Sequence, residues 1–474
     1  MATGRAGSEE GLRLPDRVTD SQIPAAVQEL MATLRAAGHA AYVVGGSLRD
    51  ALLEREPADW DLATDAHPDE LLAIFPNALY ENRFGTVTVR HLDRDYQITT
   101  FRSDIDYTDH RRPARIQFGD SIKVDLTRRD FTVNAMAWGS DAGPGARGGV
   151  PEELVDPHGG FLDLRGRLLR AVGDPDARFR EDALRMLRAI RLAAALDFEI
   201  EPSTFAGIRR SSGLAAHLSG ERVGAELDKL LALPNPSSGL RHLGTSGLLA
   251  VLFPELATER GVTQNKVPGE DLWDHTLRAV DAVPVERTRV RLAALLHDVG
   301  KPPTAADGHF YQHEVVGAEM AEDILRRLRT PRETADRVVR LVRLHMFQYE
   351  AGWTDTAVRR FIRKVSAATL DDLLTLRAAD NVGSGLPPDA GGLAELRARV
   401  AAELQADVVL DRSRLAVRGD DLIAELGLRP GPELGRLIDA LVERVIAEPA
   451  LNERPRLVEL ARELLATEPG ATRR

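Results

Sequence analysis

There is no cysteine among the 474 residues. That excludes disulfide cross-links and zinc–thiolate sites and fits a reducing cytosol, so a cytoplasmic location is expected. Long apolar runs are missing as well. No stretch approaches the roughly 18–20 residues that span a bilayer. The opening MATGRAGSEEGLR has no apolar centre of the kind a secretion signal carries. No membrane partner is expected. Lysine is scarce: Lys123, Lys229, Lys266, Lys301 and Lys364 are the whole set among 62 basic residues. The abundance of arginine is therefore a compositional bias, and an arginine cluster signals a role only where its spacing does too. Bulk attraction to nucleic acid is also absent, because the formal net charge is −11. Any RNA contact has to rest on local basic surface. What is present, 43% hydrophobic and 28% charged residues, is ordinary for a globular protein, and the length calls for several domains.

From about residue 22 the pattern reads helix (IPAAVQELMATLRAAG), strand (AAYVVGG), helix (LRDALLE) and strand (WDLAT), with further strands at GTVTVRHL and YQITTFR. Mixed elements over some 130 residues predict an α/β head. The Gly/Pro-rich stretch 139–151 reads as a surface loop. Beyond about residue 162 the apolar period becomes 3.6, as in REDALRMLRAIRLAAAL, GERVGAELDKLLAL, HTLRAVDAV and ETADRVVRLVRLH. No strand is expected there.

Two features of the head carry chemistry. The run Tyr42-Val43-Val44 ends in Gly45-Gly46 and leads into a helix bearing Arg49. Glycines at such a turn let backbone N–H groups approach a phosphate. Downstream, Asp59 and Asp61 stand two apart in a strand-like segment, so their carboxylates share one face while Trp60 and Leu62 point to the core. Paired carboxylates repel unless a cation lies between them, and phosphoryl transfer uses divalent ions held in this way.

The ordered motifs GGSLRD, DWDLAT, FGTVTV, TTFR and RRDFTVNAMA resemble the head of the class II tRNA nucleotidyltransferase and bacterial poly(A) polymerase family, over roughly residues 25–250. The resemblance implies a polymerase-β-like small sheet, magnesium on Asp59 and Asp61, and addition of nucleotides to an RNA 3′-OH. It places Arg129, Asp130 and Asn134 where the family contacts triphosphate and ribose. One position departs from the pattern. Where the family often carries a third carboxylate, this chain has Gln97, with Asp95 two residues away on the same strand face as a candidate substitute.

In FREDALRMLRAIRL, the spacing puts Asp182, Arg185 and Arg188 on one helix face, with Leu184, Leu187 and Ile190 on the buried one. A solvated ion-pair ladder is the plainer account. The chemical one is base selection: a carboxylate accepts from the exocyclic amine of cytosine or adenine, and a guanidinium donates to the ring nitrogen. Glu181-Asp182-x-x-Arg185 is similar to the family's nucleotide-selecting motif, which favours the second account. Between 165 and 191 eight arginines face four acids, a local basic surface for tRNA backbone.

A third constellation comprises His275, His297-Asp298, His313, His345 and Asp380, set in helices rich in Leu, Ala and Val. Buried imidazoles and carboxylates need partners or a metal. The pattern resembles the HD phosphohydrolase superfamily over about 265–390. That resemblance implies one or two divalent ions (Mg, Mn, Fe or Ni) and hydrolysis of a phosphomonoester or cyclic phosphate. His309 is near but off the pattern. TAVRRFIRKVS (356–366) is a basic amphipathic helix, read as a solvated arginine face before an RNA-contacting one.

The expected organisation is a flexible tail (1–20), an α/β nucleotidyltransferase head (21–160), an all-α neck that selects nucleotide and binds RNA (161–260), an HD domain (265–390) and a C-terminal helical tail (396–474). The expected activity is addition of CCA, from CTP and ATP, to tRNA, with a phosphohydrolase activity in the HD domain. Poly(A) polymerase is the nearest alternative. Its usual Gly-Arg-Arg-Phe-type segment is replaced here by Asn82-Arg83-Phe84-Gly85-Thr86, and its basic tail by EPGATRR. An HD phosphohydrolase with a degenerate head is the other alternative.

Overall fold

The computed structural model describes residues 22–80, 85–107, 113–141, 152–264, 266–406 and 411–467. The 1–20 tail, Asn82-Arg83-Phe84, most of the 139–151 loop and EPGATRR lie outside these residues. The chain forms two compact units, dividing between Pro254 and Glu255.

The first unit is built on a seven-stranded mixed sheet. Its strands are β1 (Ala41–Val44), β2 (Asp61–Thr64), β3 (Leu79–Tyr80), β4 (Thr86–His91), β5 (Arg94–Thr100), β8 (Ala137–Ser140) and β9 (Glu153–Val155), in the order β3-β4-β5-β2-β1-β8-β9. All four side chains of β1 are buried, as a central strand covered on both faces requires. β2 runs antiparallel to β1 but parallel to β5, which sets Asp61 opposite Gln97. Along β5, Tyr96, Ile98 and Thr100 turn inward while Asp95 and Gln97 turn outward. Tyr42, Val44, Ala63, Phe101, Ile122 and Leu126 share one core cluster. A separate hairpin, β6 (Arg102–Tyr107) with β7 (Pro113–Phe118), leaves the sheet after β5.

The helices of this unit are α1 (Ala25–Ala36), α2 (Gly45–Leu52), α3 (Pro68–Ile74), α4 (Ile122–Thr127), α5 (Gly160–Arg165), α6 (Pro175–Glu181), α7 (Leu184–Leu196), α8 (Pro202–Ser211), α9 (Gly220–Leu231), α10 (Pro236–Ser246) and α11 (Leu248–Leu252). The mixed head and helical continuation agree with the expected class. Four local expectations are corrected. β2 begins at Asp61, so Asp59 sits in the bend before it rather than in a strand. The 139–151 loop starts later, because Gly139 and Ser140 complete β8. The helix expected through FREDALRMLRAIRL is broken: Asp182 is extended (φ −146°, ψ 106°) between α6 and α7. Strands do occur beyond residue 162, as the two-residue ribbon β10 (Leu168–Leu169) with β11 (Glu199–Ile200), and another in the second unit.

The second unit begins in the short α12 (Pro254–Ala257) and continues with α13 (Leu272–Ala282), α14 (Thr288–Leu296), the ribbon β12 (Ala305–Ala306) with β13 (His309–Phe310), α15 (His313–Arg327), α16 (Arg332–Leu344), α17 (Asp355–Val365), α18 (Ala367–Gly383), α19 (Leu393–Gln405), α20 (Gly419–Leu426), α21 (Pro432–Ala447) and α22 (Arg454–Thr467). α16 buries Val338, Leu341 and Val342, the i, i+3, i+4 stripe of an amphipathic helix. Gly300 makes a close crossing possible: a Cβ there would stand 2.2 Å from the His313 carbonyl oxygen. The arginine face of 356–366 stays partly solvated, Arg360 being 57% exposed, but its guanidinium groups are paired with acids. Arg359 pairs with Glu403, Arg360 with Glu443, and Arg363 with Glu443 and Asp439, which ties α17 to α19 and α21.

Candidate nucleotide cavity and metal centre

Within the first unit a cavity of about 450 Å³ opens between the sheet and α7. Asp61, Gln97, Arg129, Asp130, Asp182, Arg185, Arg188 and Arg222 contribute to its lining. Gly45 starts α2 with φ +74°, and a Cβ on it would meet Arg129 Nη1 at 2.8 Å. The left-handed backbone favours glycine there, and a side chain would also push the Arg129 guanidinium aside. Asp61 has its carboxyl pushed up, mainly by burial and further by Asp59, with Arg129 opposing. Asp59 is exposed and does not line the cavity, though its charge reaches Asp61.

Asp95 does not take the place of a third carboxylate at this wall. It faces Arg90 across the β4–β5 ladder, 3.1 Å away at the surface, while Gln97 occupies the position beside Asp61. Arg49 also differs from expectation. It is buried, its charge meets Asp50 at 2.7 Å, and its Nη1 donates to Asn134 Oδ1 at 2.6 Å. Asn134 Nδ2 then donates to Asp130 Oδ1 at 3.2 Å. Arg49 and Asn134 thus support Asp130 from beneath instead of lining the cavity.

The neck side is cross-braced. Arg188 pairs with Asp130 at 2.7 Å. Burial disfavours charge on Asp130, but Arg188 and Arg185 outweigh it and hold the carboxyl down at about 2. Arg185 donates to Glu181 at 2.7 Å and to the Arg128 carbonyl at 3.0 Å. Asp182 Oδ1 accepts from the Leu184 N–H at 3.0 Å, an N-cap to α7, and Oδ2 accepts from Arg222 Nη2 at 2.7 Å. The continuous Asp182–Arg185–Arg188 face is therefore replaced by a kink. The kink brings Asp182, Arg185 and Arg188 to one cavity by other means. Arg222, from α9, was not found from the sequence. Its only local signal is the amphipathic helix itself.

In the second unit, all six residues of the third constellation converge and all are buried. His275 comes from α13, His297-Asp298 follows α14, His313 opens α15, His345 follows α16, and Asp380 lies in α18. Two groups form, His275–His297–Asp380 and Asp298–His313–His345, each with its donor atoms within 4.8 Å of one another. The Nδ1 atoms of His297, His313 and His345 lie 2.7–2.9 Å from the carbonyls of Ala294, Phe310 and Val342. A carbonyl only accepts, so Nδ1 carries the proton and Nε2 presents its lone pair inward. The Nε2 atoms of His275 and His297 stand 3.1 Å apart, and those of His313 and His345 stand 3.3 Å apart. Facing lone pairs at that distance repel in neutral rings. Donors that share a cation with bonds of ~2.1 Å lie ~3 Å apart, so the set fits a metal. Asp298 turns Oδ2 to His275 and His297 (3.1 Å each) and Oδ1 to His313 (3.4 Å) and His345 (3.6 Å). Burial opposes charge on His297, yet Asp298 and Asp380 push its affinity for a proton up to about 10, while burial holds His275 and His345 down. Beside the centre lies a cavity of about 620 Å³, whose lining includes His309, set aside in the sequence, and Gln264, Lys266, Lys301 and Arg377, which the sequence did not single out. Among the described residues no helix is long and apolar enough to cross a membrane.

Three family models match: the poly A polymerase head domain over 41–170, the probable RNA- and SrmB-binding site of polymerase A over 197–259, and the HD domain over 265–383. The chain is 32% identical to the CCA-adding enzyme of Anoxybacillus flavithermus and 33% identical to that of Streptococcus sanguinis, in each case over 90% of this chain and 94% of the relative. Among solved structures it is similar to the Bacillus stearothermophilus CCA-adding enzyme in complex with CTP (TM-score 0.69, 29% identity, 94% of this chain and 99% of that one). It shares its fold with the Thermotoga maritima CCA-adding enzyme complexed with tRNA (TM-score 0.58, 19% identity, 95% and 97% covered).

Proposed function

The chain belongs to the family of CCA-adding enzymes, and from that premise we propose that it adds C, C and A to the 3′ end of tRNA from CTP and ATP, in the cytoplasm. The observation that carries this reading is the shared cavity. Asp61 on the sheet and Asp182 with Arg185 on the neck line one space of nucleotide size.

In this reading Asp59 and Asp61 hold magnesium, which supplies the charge that activates the RNA 3′-OH and neutralises the departing pyrophosphate. Arg129, beside the Gly45-Gly46 turn, grips the triphosphate, and Asp130, fixed by Arg188 and Asn134, orients the ribose. Asp182 accepts from the exocyclic amine of cytosine or adenine while Arg185 donates to the ring nitrogen. Uracil and guanine place a carbonyl against the carboxylate, and two acceptors face to face are rejected. The arginines of 165–191 other than Arg185 and Arg188 take the tRNA backbone.

The test is incubation with tRNA lacking its 3′ CCA, with each nucleoside triphosphate alone and in combination, followed by sequencing of the products. A uniform CCA end is expected. Long A tracts would make the chain a poly(A) polymerase and sink the proposal. Asp182→Ala should admit UTP or GTP by about 10–100-fold more while transfer persists.

A second activity is favoured by the inward-facing Nε2 lone pairs. We infer that His275, His297, Asp298, His313, His345 and Asp380 hold one or two divalent ions (Mg, Mn, Fe or Ni), with Asp298 shared between the two groups, and that this centre hydrolyses a phosphate ester.

A further inference from the structure

Resting on that phosphohydrolase reading, we propose that the cavity beside the histidine centre contains a subsite for a second phosphate, formed by Lys266, Lys301, Arg377 and the Gln264 amide. Its substrate would then be a nucleotide that carries two phosphate groups.

Three cations face this cavity against two carboxylates, Asp298 and Asp380. Lys301 is nearly buried, and its Nζ donates to Asp298 Oδ2 at 2.6 Å and to Gln264 Oε1 at 2.7 Å. An ammonium has three donors, so one is left. Holding Gln264 by its oxygen aims the other end of the amide away, and that Nε2 is buried with no hydrogen-bond partner among the described residues. Lys266 Nζ donates to Ser384 Oγ at 2.9 Å and stands 3.9 Å from Asp380, so its charge is only loosely met. Arg377 Nη1 donates to Asp380 at 2.8 Å. Water can fill an empty donor, but it does not balance charge. A phosphate does both, because its oxygens only accept and it is anionic. The reacting phosphate belongs at the histidine centre, so these donors serve another one. Phe310 and the exposed Met346 and Leu386 add apolar wall to the same cavity, which suits a base. In the hydrolysis itself a water oxygen forms the new P–O bond, the ester P–O bond breaks, and the proton passes to the leaving oxygen. The second phosphate is unchanged.

The second phosphate belongs either to a free nucleoside bisphosphate or to the backbone of an RNA ending in a 3′-phosphate. Phosphate release from adenosine 3′-monophosphate, adenosine 3′,5′-bisphosphate and a short RNA 3′-phosphate is measured on the full chain. A KM at least tenfold lower for one doubly phosphorylated substrate than for the monophosphate is expected, and the lower of the two names the source. Gln264→Glu and Lys266→Met should each collapse that ratio toward one. Equal KM values in the wild type, or a ratio that survives both substitutions, would overturn the subsite. Calorimetric titration of the bisphosphate and of the RNA 3′-phosphate into metal-free full chain, wild type against each variant, decides the matter independently. Both substitutions lie outside the nucleotide cavity of the first unit, so the difference isolates the subsite. If no substrate is hydrolysed but binding of either still weakens in the variants, the phosphohydrolase reading fails and the subsite stands.

Discussion

The two centres of this chain are finished to different degrees. In the nucleotide cavity the side chains already hold one another: Asp130 of the head with Arg188, and within the neck Asp182 with Arg222 and the α7 N-terminus, Arg185 with Glu181. Desolvated charges have been paired there before any ligand arrives, so little reorganisation is left for binding. At the histidine centre four Nε2 atoms meet in two facing pairs around one carboxylate. Asp380 faces the first pair as well, and among the described residues it takes a cation or a borrowed proton on His297 to relieve the facing lone pairs. A frame of ion pairs can be complete in the empty protein, whereas a frame of ligands is completed by what it binds.

That contrast can be tested, beginning where the effect is greatest. Asp61→Ala should lower nucleotide addition by at least ~10³-fold and leave phosphate release intact, and His297→Ala should do the reverse. Parallel assays of both activities in both variants check this. A single variant that stops both activities would break the independence of the two centres.

Metal removal comes next. A chelator should destabilise the unit that begins at Glu255 more than the other one, whose magnesium would rest on Asp61 and the exposed Asp59. An ion present at 100 times its dissociation constant contributes ~2.7 kcal/mol, which moves the melting midpoint of a unit this size by about 5–10 °C. Calorimetry with and without added metal reads the shift. A shift confined to the first unit would reverse the comparison.

The smallest effect is on acid stability. Asp130 is held at about 2, below its unfolded value of ~3.9. Its contribution is present above pH ~4 and is lost as pH falls toward 2, roughly 2 kcal/mol in all. Urea midpoints between pH 5 and 2 should fall for the wild type and fall less for Asp130→Asn. Identical slopes would mean that the Asp130–Arg188 pair contributes no net stability.

Much of this architecture was legible in the sequence where a single period dominates. The AYVV strand and the apolar stripes of α9, α13 and α16 follow from patterns that need no distant partner, while the six residues of the histidine centre were legible as a constellation that resembles a known one. The failures have a common cause. Nothing in Glu181-Asp182-Ala183-Leu184 breaks a helix by itself, and the kink exists because Asp182 caps α7 and reaches Arg222 forty residues on. Arg49 was read toward phosphate, and its bonds to Asp50 and Asn134 could not be read from the sequence. Ribbons of two residues a strand are too short to register as alternation. The arginines of α17 were ambiguous because their partners lie 44 to 83 residues away.

The parallel pairing of Asp61 with Gln97 has a bearing on ancestry. Neighbouring rungs of a sheet are held ~4.8 Å apart whatever side chains they carry, so the place for a third carboxylate is kept even while an amide fills it. Glutamine and glutamate codons differ by one base. The number of acids at this edge can therefore change in one mutational step, in either direction, without disturbing a strand.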